Sequence, residues 1–222
     1  MKIGAICGKK IEAILQEIKI PKMNPSSLLK EIVDRRSIRK YKNQIVEPEK
    51  IELLLEAARL APSACNLQPF RALVVEKPEE LAFVAQIAYG IGATTTAPLV
   101  IIGLADIKAD ARLQDRFQEL IEAKSMEPMD MGKLKSAKNT PFQLKLGEDI
   151  ALLSTAIAIE HIVLQAIKLE LGTCWVHHFE IDEIRDYFKI PDNMRIVTLL
   201  TLGYPDETPK QRPRLKDIRW ER

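Results

Sequence analysis

The sequence has few cysteines and almost no net charge, and each shortage excludes a class of protein. Cys7, Cys65 and Cys174 are far apart, odd in number and never form a C-x-x-C pair. A disulfide framework and a zinc site are therefore not expected, and no metal is predicted. The 33 Lys and Arg residues nearly balance the 31 Asp and Glu residues. With a net charge of +2, the chain has no overall field that would attract nucleic acid or an anionic membrane.

Long hydrophobic runs are also missing. The most apolar run, residues 150–159, is shorter than a membrane span and is followed by Glu160. No apolar stretch of signal-peptide length precedes Lys9 near the N-terminus. Together with the scattered cysteines, these features predict a cytoplasmic protein that makes no membrane contact.

The hydrophobic pattern predicts one main domain, because 46% of the 222 residues are hydrophobic and can bury a large core. We expect a helical extension over residues 1–22 and the main domain over 23–222. Periodicity predicts helices and strands that form a layered sheet with a helical core. The predicted helices cover residues 27–33, 47–61, 78–89, 148–171 and 181–190, and the predicted strands cover 71–76, 98–105, 173–178 and 195–203.

Two of these segments have special features. Residues 148–171 are apolar almost all round, which is typical of a buried central helix, and Gly172 is predicted to cap this helix in the left-handed conformation. Residues 107–147 are polar and lose their periodicity after about residue 124. We interpret them as a helical excursion that forms a lid over a site.

The segment DRRSIRKY, residues 34–41, concentrates positive charge. It places the guanidinium groups of Arg35, Arg36 and Arg39 and the hydroxyl of Ser37 within five residues. Guanidinium groups match phosphate oxygens in both geometry and charge. Phosphate binding is one interpretation, and a solvated basic helix end is the other.

The segment PSACNLQPF, residues 62–70, combines stiffness with polar side chains. Two prolines enclose Ser63, Asn66 and Gln68, with small residues between them. A stiff loop with outward donors and acceptors suits a planar ligand with polar edges. The alternative is an ordinary turn in which Ser and Asn bond to their own backbone.

Three other signals are weaker. The segment GIGATT, residues 90–95, imitates a dinucleotide fingerprint but follows a predicted helix and precedes a strand, which is the wrong order. His177 and His178 are adjacent, so in an extended strand they face opposite sides and cannot bind one metal together. Cys65 has no His or Asp beside it in the sequence and is interpreted as a small packing residue instead of a nucleophile.

Five segments together resemble the nitroreductase family of FMN-dependent oxidoreductases. RRSIRKY, APSACNLQPF, LGTCWV, LGYP and RPRLKDIRW occur in the family's order and spacing across about residues 27–222. The resemblance implies an α+β fold with a central mixed sheet, flanking helices and a long buried core helix. It also implies an intertwined homodimer with FMN at the subunit interface. NADH or NADPH would donate a hydride through flavin N5 to a nitroaromatic, quinone or similar small-molecule acceptor by a ping-pong mechanism.

The resemblance also assigns roles to individual residues. The arginine segment and the C-terminal arginines would bind the FMN phosphate, and the proline-bounded loop of the other subunit would contact the flavin ring. No catalytic side chain is expected, since the flavin does the chemistry. His177 stands where many relatives have glycine and is a candidate modulator of the substrate side. The implied cofactor-binding residues are Arg35, Arg36, Ser37, Arg39, Pro62, Ser63, Ala64, Asn66, Gln68, Val176, His177, Arg212 and Arg214.

Other functions stay open at the level of sequence. A relative of the same fold could be a reductive dehalogenase or could fragment the flavin, and a non-catalytic flavin-binding sensor would need the same cofactor residues. Nucleic-acid binding through the basic arm at residues 210–222 is disfavoured by the nearly neutral charge balance.

Overall fold

The structure is a computed structural model that describes residues 27–127, 147–215 and 218. Residue contacts divide the chain into two units, Met1–Val33 and Asp34–Arg222, and the whole sheet belongs to the second unit. The predicted extension over residues 1–22 lies outside the described residues. Residues 128–146, which form most of the second half of the predicted lid, lie outside them as well.

The helices and strands follow the predicted order along the chain. Proline at the first turn starts α2 and α3, as expected of a residue with a fixed φ and no N–H. Single 3-10 turns cover Ala64–Asn66 and Ala109–Arg112. The helices are α1 (Lys30–Asp34), α2 (Pro48–Arg59), α3 (Pro78–Ile87), α4 (Gly92–Thr96), α5 (Leu113–Glu122), α6 (Gly147–Lys168) and α7 (Ile181–Phe188). The strands are β1 (Phe70–Val75), β2 (Leu99–Asp106), β3 (Gly172–Val176) and β4 (Met194–Gly203).

The four strands form one sheet in the order β1-β2-β4-β3. Every neighbouring pair is antiparallel, with Ile101 opposite Leu200 at the centre. The sheet therefore differs from the mixed sheet that was expected. Its parallel component in the described part of the chain is a single bridge between Ser37 and Thr173, which brings the arginine segment to the outer edge of β3.

Each face of the sheet packs against different helices because the side chains of a strand alternate between its two faces. Ile101 of β2 joins the core formed with α2 and α6, whereas Val100 and Ile102 join the core formed with α3 and α7. At Gly103 an added Cβ would lie 2.6 Å from Cδ1 of Ile159. A side chain there would require the end of the Ile159 side chain to shift, because α6 crosses β2 at close range.

The central helix α6 confirms the helix predicted over residues 148–171, and it extends well beyond the most apolar run at residues 150–159. It is the one helix among the described residues that is long and apolar enough to cross a membrane, by length and composition alone, and 44% of the tested stretch is buried. Ile159, Ile162 and Val163 pack against the sheet and α2. Leu153 and Ile157 lie one turn apart and are 65% and 42% exposed. The helix is therefore half core and half apolar surface.

The prediction that Gly172 caps α6 is wrong. Glu170 adopts the left-handed conformation, with φ of 63°, and the N–H of Leu171 donates to the carbonyl of Ala166 at 2.8 Å. Gly172 is already the first residue of β3. Its lack of a side chain serves packing, because a Cβ there would lie 2.5 Å from Cγ1 of Ile38.

Candidate functional site

The arginine segment is held in an extended form between two other parts of the chain. On one side, Ser37 pairs with Thr173 and the N–H of Ile38 donates to the Thr173 carbonyl at 2.9 Å. On the other side, the N–H of Lys42 donates to the carbonyl of Tyr204 at 2.9 Å. The segment therefore contacts both the start of β3 and the residue that follows β4, and its position depends on both.

Tyr41 anchors this segment in the core. Its side chain is buried, and its hydroxyl donates to the carbonyl of Ile38 at 2.8 Å. The hydroxyl also lies 2.7 Å from Oγ1 of Thr201 on β4. Burial raises the pKa of the Tyr41 hydroxyl, so this group stays neutral and remains a donor.

The charges of three arginines act on the buried thiol of Cys174 in β3. Burial raises the pKa of this thiol, and the charges of Arg39, Arg212 and Arg35 act in the opposite direction. We call these three residues the arginine cluster. The carboxylate of Glu207 acts on the same thiol with the opposite sign to the arginines. The arginines that act on Cys174 outnumber the acidic groups that do so, although the overall charge of the chain is nearly balanced.

The backbone around Arg39 is fixed by two further contacts. The Arg39 guanidinium donates to the carbonyl of Ser37 at 3.2 Å. The backbone N–H of Arg39 donates to the Glu207 carboxylate. The guanidinium is thus folded back towards the backbone of Ser37.

The other two predicted phosphate ligands are placed differently. The Arg36 guanidinium donates to the carbonyl of Arg35 at 2.8 Å, and Arg36 lines a groove of about 430 Å³ together with Glu170 and Glu207. None of the three cluster arginines lines this groove. Arg214 is exposed in the irregular segment that follows Pro209.

The proline-bounded loop has a strained backbone. Cys65, Asn66 and Gln68 have φ of 49°, 54° and 48°. The left-handed conformation costs roughly 1–2 kcal/mol for a residue with a side chain, although Asn tolerates it better than Cys or Gln. Strain of this kind persists only where the surroundings hold it, and it concentrates at functional sites.

Hydrogen bonds within the loop shape it from inside. The N–H of Gln68 donates to Oγ of Ser63 at 3.0 Å, and Nε2 of Gln68 donates to Oδ1 of Asn66 at 3.1 Å. Ser63 therefore bonds to backbone, as in the ordinary-turn interpretation. Within the described part of the chain, no hydrogen bond uses Nδ2 of Asn66 or Oε1 of Gln68, so these two atoms can face a ligand.

A cavity of about 230 Å³ lies beside the loop. Ser154 on α6 lines it, and the Ser154 hydroxyl accepts a hydrogen bond from the N–H of Ala64 at 3.4 Å. Pro62, Ser63 and Gln68 line the cavity from the loop side. Burial raises the pKa of the half-buried Cys65 thiol, which disfavours the thiolate and a nucleophilic role.

The two adjacent histidines face opposite sides, as strand alternation predicted. The exposed His177 follows Val176 and stacks on Trp175, with ring centroids 5.8 Å apart. His178 contacts Tyr89 instead, at 4.8 Å. Because Trp175 packs into the core formed with α2 and α6, His177 lies on the α6 side of the sheet. The described residues contain no group of three or more His, Cys, Asp or Glu side chains that could hold a metal ion.

Sequence reasoning missed two residues of the site. Tyr41 lies inside the RRSIRKY motif, and its aromatic ring among charged residues was a signal of an anchor. Glu207 gave no signal, because its contact with Arg39 joins residues that are 168 positions apart. Such a contact exists only after β4 has paired with its neighbours.

A family model described as "Nitroreductase family" matches residues 32–204. An NADH dehydrogenase of Thermus thermophilus is 30% identical over 180 residues, which cover 78% of this chain and 84% of the relative. An FMN reductase (NADPH) of Bacillus subtilis is 22% identical over 192 residues, which cover 86% of this chain and 70% of the relative.

Solved structures share the fold. A protein of Exiguobacterium sibiricum, assigned as a nitroreductase and crystallised in complex with FMN, is 26% identical. It superposes with a TM-score of 0.68 over 83% of this chain and 91% of that chain. A Bacillus subtilis structure at 20% identity superposes with a TM-score of 0.72 over 85% of this chain and 93% of that chain. At this identity the similarity shows the fold alone.

Proposed function

Because the chain belongs to the nitroreductase family, we propose that it is an FMN-dependent NAD(P)H oxidoreductase that reduces small-molecule acceptors. The observation that carries this proposal is the arginine segment, which the bridge between Ser37 and Thr173 holds against the start of β3. Arg35, Arg39 and Arg212 come from opposite ends of the described chain and act on the same thiol at β3. Planar guanidinium groups bind phosphate oxygens through paired hydrogen bonds, so the cluster suits the FMN phosphate.

The proline-bounded loop suits the flavin ring. Asn66 and Gln68 each keep one polar amide atom available for the polar edge of a planar ring. When bound, FMN supplies the acceptance and delivery of a hydride, and the protein supplies position and electrostatics. No side chain of the loop is assigned an acid or base role, which agrees with the raised pKa of the Cys65 thiol.

His177 is proposed to limit the acceptors that can bind. Its imidazole stacks on Trp175 on the α6 side of the sheet and is exposed to solvent. We place this stacked pair at the edge of the acceptor site, where nitroaromatic and quinone rings would pack against it. One open site would serve donor and acceptor in turn, so we expect ping-pong kinetics.

A homodimer is proposed because apolar surface remains exposed on α2 and α6, which pack against each other. Leu53 of α2 and Leu60, the residue that caps its C-terminus, are 49% and 64% exposed, and Leu153 of α6 is 65% exposed. A surface of this kind is typical of a subunit interface. In the proposed dimer, the loop of one subunit and the arginine cluster of its partner bind the same cofactor. We propose that the dimer works in the cytoplasm, where its thiols stay reduced.

An absorption spectrum of the purified protein tests the central proposal. We expect flavin bands, two FMN per dimer, and oxidation of NADH or NADPH that depends on menadione. Parallel lines in double-reciprocal plots would support the ping-pong mechanism. A colourless monomer that cannot be reconstituted with FMN would contradict the proposal. Bound flavin without NAD(P)H oxidation would favour a flavin-binding sensor.

A further inference from the structure

The strained loop at residues 62–70 presents carbonyl oxygens that need donors from outside the 3-10 turn. Arg71, the second residue of β1, provides two of these donors. Its guanidinium donates to the carbonyl of Gln68 at 2.9 Å and to the carbonyl of Phe70 at 2.7 Å. This contact is local, since Arg71 directly follows the loop in the chain.

A second guanidinium reaches the loop from elsewhere in the chain. Nη2 of Arg112 lies 3.5 Å from the carbonyl oxygen of Leu67. The N–H of Asp106 donates to the carbonyl of Pro69 at 2.9 Å. Arg112 and Asp106 also contact each other, with 3.3 Å between Nη2 of Arg112 and Oδ2 of Asp106. Two linked residues outside the loop therefore hold two of its carbonyl groups.

The carboxylate of Asp106 is fixed in orientation because both of its oxygens are used. Oδ2 faces Arg112, while Oδ1 accepts from the N–H of Lys108 and from Nδ2 of Asn193, each at 3.1 Å. The Asp106 side chain is 14% exposed and that of Arg112 is 35% exposed. A partly shielded, hydrogen-bonded pair keeps a defined geometry better than a fully exposed ion pair does.

The position of Leu67 explains how one contact can set the whole loop. Leu67 is buried, and it lies between Asn66 and Gln68, which are both in the left-handed conformation. Arg112 contacts the Leu67 carbonyl, and the protein core surrounds the Leu67 side chain. Asn66 and Gln68, on either side of Leu67, therefore have little freedom to move. These are the side chains with atoms available for a planar ligand.

We propose that Asp106 and Arg112 are positioning residues that hold the Pro62–Phe70 loop in its strained form for the flavin ring, an inference that rests on the proposed function. Asp106 ends β2, and Arg112 ends the 3-10 turn from which α5 begins. The pair thus joins the loop to the rigid end of the sheet and to the start of the excursion after β2. Neither residue contacts the flavin ring directly in this proposal.

Hydrogen exchange in the flavin-free protein tests the structural part. In Arg112→Ala and Asp106→Asn we expect the amides of Asn66 and Leu67 to exchange faster, on the order of 10-fold, because local opening exposes them without global unfolding. Exchange in the core of β2 should stay at its wild-type rate. Asp115→Asn is the matched control, since it removes the same charge from an exposed site on α5 and should change nothing.

Flavin binding tests the positioning role. Fluorescence titrations with FMN and with riboflavin should show both ligands weakened by the same factor in Arg112→Ala, on the order of 10-fold, because the ring and not the phosphate loses its contacts. Arg112→Lys keeps the charge on a side chain that is one atom shorter, so it should recover only part of the affinity lost in Arg112→Ala. The double variant Asp106→Asn/Arg112→Ala should lose no more than Arg112→Ala alone, as expected of residues that act as one unit.

Three outcomes would overturn the proposal. The first is unchanged flavin affinity in variants that have lost only thermal stability, and the second is a loss for FMN that riboflavin does not share. The third is equal acceleration of exchange in the loop and in the core of β2, which would show a purely structural role. If the wild-type protein bound neither flavin, the proposed function would fail and the role towards flavin with it. Faster hydrogen exchange confined to the loop would then still show that Asp106 and Arg112 stabilise the conformation of the loop.

Discussion

Replacing Gly172 with alanine tests whether packing at the start of β3 sets the affinity for the FMN phosphate. The new Cβ would lie 2.5 Å from Cγ1 and 2.8 Å from Cβ of Ile38, and 3.0 Å from Cγ of Pro205. Carbon atoms in contact normally lie about 3.5–4.0 Å apart. The Cβ of Ile38 moves only with its backbone, so a change of rotamer cannot relieve the clash. The arginine segment must therefore move away from β3 by about 1 Å.

Two effects of different size follow from this displacement. Overpacking should lower the free energy of unfolding by about 1–3 kcal/mol. Ile38 lies between Ser37 and Arg39, so the shift also moves two predicted phosphate ligands. Loss of one charge-assisted hydrogen bond to phosphate costs roughly 1.5–3 kcal/mol, which weakens FMN binding by about 10- to 150-fold. Riboflavin lacks the phosphate and should lose much less.

The assay is a fluorescence titration of the apoprotein with FMN and with riboflavin, done where each variant is fully folded. Gly103→Ala is the matched control, because its new Cβ would lie 2.6 Å from Cδ1 of Ile159 in the core and away from the arginine segment. It should reduce stability without changing the ratio of the two dissociation constants. Adding Ile38→Ala to Gly172→Ala removes the contact with Cγ1 but keeps the 2.8 Å contact with Cβ, so most of the loss of FMN affinity should remain. An unchanged ratio in Gly172→Ala would refute the reasoning.

Three further predictions concern single side chains. Arg35→Ala should weaken FMN binding by about 10- to 150-fold and riboflavin binding little. Arg36 lies in a separate groove, so Arg36→Ala should change the ratio of the FMN and riboflavin affinities less. Titrations that gave the same ratio for both variants would contradict this prediction. His177→Gly should widen the range of acceptors in steady-state assays because it removes the imidazole stacked on Trp175. The control variant His178→Gly should have no such effect. The Tyr204 hydroxyl lowers the pKa of the Glu47 carboxyl, so this contact stabilises the fold above the ordinary pKa of 4.5 and is lost as the pH falls below it. The difference in urea midpoint between wild type and Tyr204→Phe should therefore be largest at neutral pH and shrink in acid, and a difference that stays constant with pH would argue against the interaction.

Local patterns in the sequence determined most of the elements and the family. Proline at position 48 and the apolar stripe after it predicted α2, and the continuous apolar run at residues 98–105 predicted β2, whose residues up to Ala105 are all buried. These features depend on neighbouring residues, so periodicity reveals them. The five motifs could be matched by order and spacing alone. The alternation that separates His177 from His178 was predicted in the same way, and the structure confirms it.

Only the tertiary structure decided how these pieces meet. The sequence pattern favoured Gly172 as a helix cap, but the left-handed residue is Glu170, since Gly172 is needed where Ile38 packs against β3. The antiparallel strand order, the bridge between Ser37 and Thr173 and the contact of Arg112 with the strained loop could not be predicted from the sequence. Each of these features joins residues that are distant in the chain. No local propensity encodes such a contact, because the contact contributes energy only after the sheet and α6 have brought the two residues together.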